Sequence, residues 1–179
     1  AYFIIGTPAD SSNLEITEIH YDPIEGKDYE YIEIHNRSDQ CIDLSGLSFS
    51  NGIDFALPQS QPRILEAGAY GVIVANREAF VGHYTSLNGA AIIGEFASET
   101  NLKNGGEHLT LLDRNGGSVW SIRYDNASPW PELLEGHSLV LSGEDSSAAE
   151  AWSASAKPGG SPGTAEDTAS DPGVSYASW

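Results

Sequence analysis

Residues 14–36 read LEITEIHYDPIEGKDYEYIEIHN, which is two short apolar runs around an acidic turn. The runs Leu14–Tyr21 and Tyr29–Asn36 are rich in Ile, Tyr and Thr, residues that favour β-strands. Each run is too short for a typical independent helix. The stretch therefore predicts two strands that follow one another along the chain.

Similar runs recur between Gly, Asn, Asp and Pro residues along the rest of the chain. They predict further strands at Leu44–Ser50, Ile53–Leu57, Tyr70–Ala75, Ala90–Phe96, Glu107–Asp113, Ser118–Tyr124 and Ser138–Ser142. Arg77–Gly82, with Asn76 as its N-cap, is the one segment that reads as a helical turn. Many short strands in this arrangement predict an all-β fold, either a sandwich or a barrel.

Asn-Gly turns flank the run Glu107–Asp113. Asn104-Gly105-Gly106 precedes it and Asn115-Gly116-Gly117 follows it, and this dipeptide suits tight hairpin turns. We therefore predict an antiparallel meander over residues 90–124. Asp43 is expected to close an Asx-turn just before the next strand.

The charge of the chain is strongly acidic. Its 179 residues include 26 Asp and Glu against 8 Lys and Arg, for a net charge of −18. Such a charge repels nucleic-acid phosphates and anionic lipid headgroups, so we expect no nucleic-acid partner. No apolar run approaches the ~18 residues of a membrane-spanning helix, so we expect no membrane insertion. The absence of Met from a chain beginning Ala1-Tyr2 favours a secreted or cell-surface protein, or a piece of a longer one.

A family resemblance extends over about residues 14–164. It is carried by Glu18-Ile19, Glu30-Tyr31-Ile32-Glu33-Ile34-His35-Asn36, Ile42-Asp43-Leu44-Ser45-Gly46, Leu65 to Tyr70, Leu102-Lys103-Asn104-Gly105-Gly106-Glu107, Asp113 with Gly116, Trp130-Pro131, Gly136-His137-Ser138-Leu139, Trp152 and Gly160-Ser161-Pro162-Gly163. This pattern resembles the lamin tail domain, in the form found in large secreted or surface-attached microbial proteins. The resemblance implies an immunoglobulin-like antiparallel β-sandwich and a non-catalytic structural or interaction module. It divides the chain into an N-terminal extension (1–13), the sandwich (14–164) and a C-terminal tail (165–179).

Two sequence features raise the question of catalysis. Residues 159–163 match the hydrolase pattern G-x-S-x-G, but Pro162 has no N–H to donate to an oxyanion, so the segment is expected to be a turn. Glu18 and Glu33 are an acid/base pair on paper, but carboxylates of this kind are usually exposed on strands. We therefore predict no catalytic residues and no enzyme.

Metal-binding candidates lie in the first turn and at strand ends. Asp22, Glu25 and Asp28, with Glu30 beside them, are calcium candidates, although their spacing fits no standard calcium loop. Otherwise no cofactor is expected. His20 and His35 end two strands, so a surface zinc site is an alternative to exposed polar strand ends.

The termini carry the sharpest functional hypothesis. Tyr2, Phe3, Ile4 and Ile5 are apolar on both faces of an extended strand. This strand folds back on its own domain, adds to the sheet of another copy, or is left from a preceding module. Val174–Trp179 offers a second such strand. We expect a non-catalytic extracellular module with a protein partner, self-assembling into a surface fibre or matrix. The alternative is a calcium- or glycan-binding accessory domain.

Overall fold

The computed structural model describes residues 6–87 and 91–166. The strands in these residues are β1 (Thr7–Pro8), β2 (Leu14–His20), β3 (Tyr31–Asn36), β4 (Ile42–Asp43), β5 (Ser48–Asn51), β6 (Ile64–Leu65), β7 (Tyr70–Val74), β8 (Ile92–Glu95), β9 (Glu107–Leu112), β10 (Ser118–Tyr124), β11 (Leu139–Leu141) and β12 (Trp152–Ala154). Helix α1 spans Arg77–His83, and short 3₁₀ turns span Lys27–Tyr29 and Ala149–Ala151.

The strands form an immunoglobulin-like sandwich. A six-stranded sheet has the order β12-β11-β2-β3-β7-β8, and a three-stranded sheet has the order β10-β9-β5. A small sheet, β1-β4-β6, completes the described strands. One apolar core contains side chains from both larger sheets, including Ile16, Ile32, Leu109 and Ile122. The predicted all-β sandwich is confirmed.

A β-bulge in β2 decides which side chains face this core. Ile16 pairs with Ile34 and Glu18 pairs with Glu33, so Thr17 is the extra residue between them. Because a bulge reverses the alternation of side chains, Ile16 and Ile19 both face inward. Glu18 and His20 are thereby placed on the outer face of the sheet.

The outer face has an apolar layer of its own. Helix α1 packs Phe80 against Tyr31, Val72, Val74 and Ile92. The helix begins where the sequence predicted, because the Asn76 side chain accepts a hydrogen bond of 3.0 Å from the N–H of Ala79. This layer covers the β7 end of the outer face.

The structure corrects the predicted meander. Strand β8 lies parallel to β7 at the edge of the six-stranded sheet and does not pair with β9. The β9–β10 hairpin is as predicted, with the Asp113 N–H donating to the carbonyl of Gly117 at 2.8 Å. Residues 53–57 form only an isolated bridge, between Ala56 and Ser48. The turn residues marked where the chain reverses, but they did not determine which sheet receives the following strand.

Residues 6–13 are packed against the sandwich, although the sequence analysis assigned them to an N-terminal extension. Strand β1 pairs in parallel with β4, and the Thr7 N–H donates to the carbonyl of Cys41 at 3.0 Å. Ala9 is buried in the core. The Asx-turn is present as predicted, since the Ser45 N–H donates to Asp43 Oδ1 at 3.0 Å.

Candidate functional site

Glu18 and Glu33 form the most unusual pair of side chains on the outer face. They are register partners on the antiparallel strands β2 and β3, and their exposed fractions are 1% and 2%. The expectation that these carboxylates lie in solvent is therefore wrong. They are buried because the chain after β12 runs across the outer face above them.

We call residues 155–166 the strap. The Ser161 N–H lies 3.3 Å from both carboxyl oxygens of Glu18, and the Gly163 N–H donates to Glu33 Oε2 at 2.6 Å. The predicted turn at residues 159–163 therefore covers two acidic side chains with backbone donors. The Ser161 hydroxyl donates to Glu166 Oε2 at 2.5 Å, within the strap itself.

Side chains from the sheet complete the hydrogen bonds of the two carboxyl groups. The Ser138 hydroxyl donates to Glu18 Oε1, and the Tyr31 hydroxyl lies 2.7 Å from the same oxygen. The Thr17 hydroxyl donates to Glu33 Oε1 at 2.7 Å. Each carboxyl group is therefore bonded by the sheet on one side and by the strap on the other.

Burial raises the pKa of both carboxyl groups. The pKa of Glu18 rises to about 7, mainly through desolvation, although the Ser138 and Tyr31 hydroxyls oppose the rise. The pKa of Glu33 rises to about 8, through desolvation and the neighbouring charge of Glu18. The ion pairs found among the described residues involve other carboxylates, namely those of Glu15, Glu25 and Asp43. No cation in that part of the chain neutralises the pair.

A cavity of about 430 Å³ lies beside the strap. Its lining includes Glu18, Glu33 and Tyr70, together with the apolar side chains of Val140 and Leu141. Two carboxyl groups with raised pKa values in a cavity are what general acid–base catalysis requires. Here, however, their oxygens accept hydrogen bonds from the protein itself. The geometry therefore favours a structural role for this buried pair over a role in binding a substrate.

His20 is buried beside this pair without any hydrogen bond. Its side chain is 0% exposed, and neither ring nitrogen has a partner in the described residues. The ring packs edge-on against Tyr31, with 5.3 Å between the ring centroids. Burial, with the charges of His83 and His137, lowers the pKa of His20 to about 4. His20 is therefore neutral in the folded protein at pH 7.

The structure does not bring His20 and His35 together. In the β2–β3 register His20 faces Tyr31, whereas His35 faces Glu15 towards the other end of the pair. The His35 ring stacks on Tyr70 at a centroid distance of 4.2 Å. The zinc alternative is therefore not supported for these two residues.

Two of the calcium candidates of the first turn, Asp22 and Glu25, have partners among the described residues. Asp22 accepts a hydrogen bond from Asn104, Glu25 lies 3.5 Å from His83 Nε2, and Asp28 is in the 3₁₀ turn. Glu30 points inward and accepts a hydrogen bond of 2.7 Å from the N–H of Leu102. Across residues 6–87 and 91–166, no group of three or more His, Cys, Asp or Glu side chains could hold a metal ion. Calcium binding there stays a prediction.

Sequence reasoning singled out Glu18, Glu33 and Ser161 but did not connect them. It missed the roles of Tyr31 and Ser138 altogether. The signal available was the small-residue run after Trp152, whose composition permits close passage over a sheet. The predicted interaction residues Tyr2, Phe3, Ile4 and Ile5 lie outside the described residues.

Comparison with protein families places most of the chain in a known family. The model of the lamin tail domain family matches residues 7–126, which include β1 and most of the sandwich. No curated protein matches the chain. Among the described residues there is no helix with the length and apolar character needed to cross a bilayer.

Replacing Gly160 by alanine should open the strap. Gly160 has φ +68°, and a Cβ there would overlap the Glu18 carboxyl and the Tyr31 hydroxyl. Gly68 is a matched control, because it has φ +67° and a Cβ there meets nothing within 4 Å. Both variants carry the backbone strain of a positive φ, but only Gly160→Ala adds overpacking, which costs about 1–3 kcal/mol. If urea unfolding shows that both variants lose the same free energy of unfolding, this account of the strap is wrong.

Replacing His20 by leucine should make the protein less sensitive to acid. The pKa of His20 is lowered in the folded state, so the unfolded chain binds a proton between about pH 6.5 and 4, and stability is lost as the pH falls through this range. The loss approaches about 3 kcal/mol at pH 4, at about 1.4 kcal/mol per pKa unit. The stability of His20→Leu relative to the wild type should therefore grow from pH 7 to pH 4.5 in urea unfolding. His108→Leu, at an exposed site on β9, is the control for replacing an imidazole by leucine.

Proposed function

This chain belongs to the lamin tail domain family, and we propose that it is a non-catalytic extracellular module that assembles with copies of itself into a surface fibre or matrix. Members of the family are non-enzymatic, immunoglobulin-like modules that interact with other proteins. Beyond that membership, we propose that the chain has no catalytic activity, that it lies outside the cell and that it assembles with copies of itself.

The strap is the observation that supports a non-catalytic role. The strongest candidates for general acid and base, Glu18 and Glu33, are 1% and 2% exposed and bonded to Ser138, Thr17 and the strap. A substrate would have to displace the strap before it reached either carboxyl group. The pair therefore fits a role in holding the outer face together.

The surface charge supports a location outside the cell. A net charge of −18 favours solubility, in keeping with an exported domain. The single cysteine, Cys41, is a free thiol, so the fold needs no disulfide of its own.

The position of β1 supports assembly through the N-terminus. Strand β1 is at the edge of the β1-β4-β6 sheet, and the apolar residues 2–5 come directly before it. A strand that is apolar on both faces gains by adding to a sheet of another copy, because main-chain hydrogen bonds and apolar burial then act together. Head-to-tail addition that does not close on itself would give a fibre.

Deletion of residues 1–5 tests this assembly. We expect a folded monomer, because Thr7 and Ala9 keep their hydrogen bonds to Cys41 and Asp43, while the full chain forms larger species in size-exclusion chromatography with light scattering. Deletion of residues 167–179 is the matched control and separates the two ends of the chain. Oligomers of unchanged size after the first deletion would argue against donation by the N-terminus.

A second candidate function is that of a glycan- or calcium-binding accessory domain. The observation that favours it is a polar cleft of about 220 Å³, lined by Asp22, Asn104, Asn126, Glu132 and His137, among others. Amide and carboxylate groups of this kind bind sugar hydroxyls and calcium.

Thermal unfolding tests this second candidate. A ligand that binds the native state raises Tm by mass action. Addition of calcium chloride or of a monosaccharide that binds the cleft should therefore raise Tm. Asp22→Asn should abolish the rise. Glu95→Gln, a change on β8 outside the cleft lining, is the control. An unchanged Tm across calcium and a broad sugar panel would remove the candidate.

A further inference from the structure

The strap closes over two acidic groups that no described cation neutralises. Glu18 is faced by Tyr31 and Glu33 from β3, by Tyr84 from α1 and by Glu166 from the strap. Glu33 is faced by Glu18 from β2 and by Tyr70 from β7. All these titratable groups become negative or stay neutral as the pH rises. Ionisation of both carboxyl groups would therefore put uncompensated charges together inside a closed structure.

The Tyr31 hydroxyl connects Glu18 to the strap. The Tyr31 hydroxyl lies 2.7 Å from Glu18 Oε1 and 3.0 Å from the carbonyl oxygen of Gly159. A tyrosine hydroxyl has one hydrogen and cannot donate fully to both oxygens. Tyr31 donates to Glu18, and the Gly159 carbonyl also accepts from the Tyr84 hydroxyl at 2.8 Å, so the Tyr31 hydroxyl sits directly between the Glu18 carboxyl group and the strap.

The strap is anchored at its start, where the N–H groups of Ser155 and Gly159 donate to the carbonyls of Ser138 and Gly136, and residues 159–163 then bond to the acidic pair and the tyrosines beside it. Ser161 and Gly163 donate to Glu18 and Glu33, and Gly159 accepts from Tyr31 and from Tyr84 at 2.8 Å. A change in the charge of Glu18 or Glu33 therefore acts directly on hydrogen bonds that hold the strap.

We propose that the strap is a pH-sensitive latch, closed over Glu18 and Glu33 in mildly acidic solution and released as the pH rises through neutrality. Release would uncover the outer face of β2 and β11, where the cavity presents the two carboxylates beside Val140 and Leu141. The latch would thus control access to an acidic and apolar surface of the sandwich.

The direction of the effect follows from proton linkage. With the strap open, water reaches both carboxyl groups and their pKa values return towards 4.5; with it closed, burial holds them at about 7 and about 8. The strap N–H groups favour the charged form, but desolvation outweighs them. The closed form therefore binds more protons, and the ratio of closed to open protein falls as the pH rises from 4.5 to 8. One such group changes the ratio up to about tenfold per pH unit.

Hydrogen exchange of the Ser161 and Gly163 amides tests the latch. We expect their protection, corrected for the intrinsic exchange rate, to fall at least about tenfold between pH 5.5 and pH 8 in the full chain. The double variant Glu18→Gln, Glu33→Gln should retain its protection across this range, because glutamine cannot ionise.

Glu30→Gln is the matched control. Glu30 is also buried, and burial raises its pKa to about 7, but it bonds to the N–H of Leu102 and not to the strap. This variant should show the pH dependence of the wild type at Ser161 and Gly163.

Two results would overturn the proposal. One is protection of Ser161 and Gly163 that does not change between pH 5.5 and pH 8 in the wild type. The other is an equal loss of protection in the double variant. Should the double variant fail to fold, the amide chemical shifts of wild-type Ser161 and Gly163 across the same pH range provide the test, because release moves both shifts together and an unchanged pair of shifts rejects the latch. None of these measurements depends on self-assembly.

Discussion

Two carboxyl groups on the outer face of a sheet need hydrogen-bond donors that water does not supply there. This requirement determines which residues lie over the outer face of the six-stranded sheet. Burying an unpaired carboxyl group is costly, so Glu18 and Glu33 persist inside the fold because Tyr31, Ser138 and Thr17 donate from the sheet and the strap donates from above. Tight passage of the strap over Glu18 in turn leaves room only for a glycine at position 160.

The bulge at Thr17 links this outer site to the core. It allows Ile16 and Ile19 to face inward together, and the same shift of register places Glu18 opposite Glu33. A strict two-residue alternation would place Glu18 on the face of Ile16, where no strap could reach it. One inserted residue therefore sets both the apolar packing between the sheets and the acidic pair outside them.

The burial of Glu18 and Glu33 under the strap suits an interaction module better than an enzyme. Catalysis needs groups that a substrate can reach, whereas here Glu18 and Glu33 bond to the chain's own strap. Membership of the lamin tail domain family agrees with this division, since the family consists of non-enzymatic modules. In this chain the cover on the outer face is a short segment that bonds to two acidic groups.

The sequence by itself determined the strands of both larger sheets except β12, the cap of helix α1 and the β9–β10 hairpin. These features depend on residues near one another, such as Asn76 with Ala79 and Asp113 with Gly117, so local periodicity and turn chemistry reveal them. Only the tertiary structure decided that β8 joins β7 in parallel, that His20 is buried with no hydrogen-bond partner among the described residues, and that the strap covers Glu18 and Glu33. Ser161 is 143 positions from Glu18, and Gly163 is 130 positions from Glu33. Alternation along a strand tells which side chains share a face, but it does not tell what the rest of the chain lays over that face.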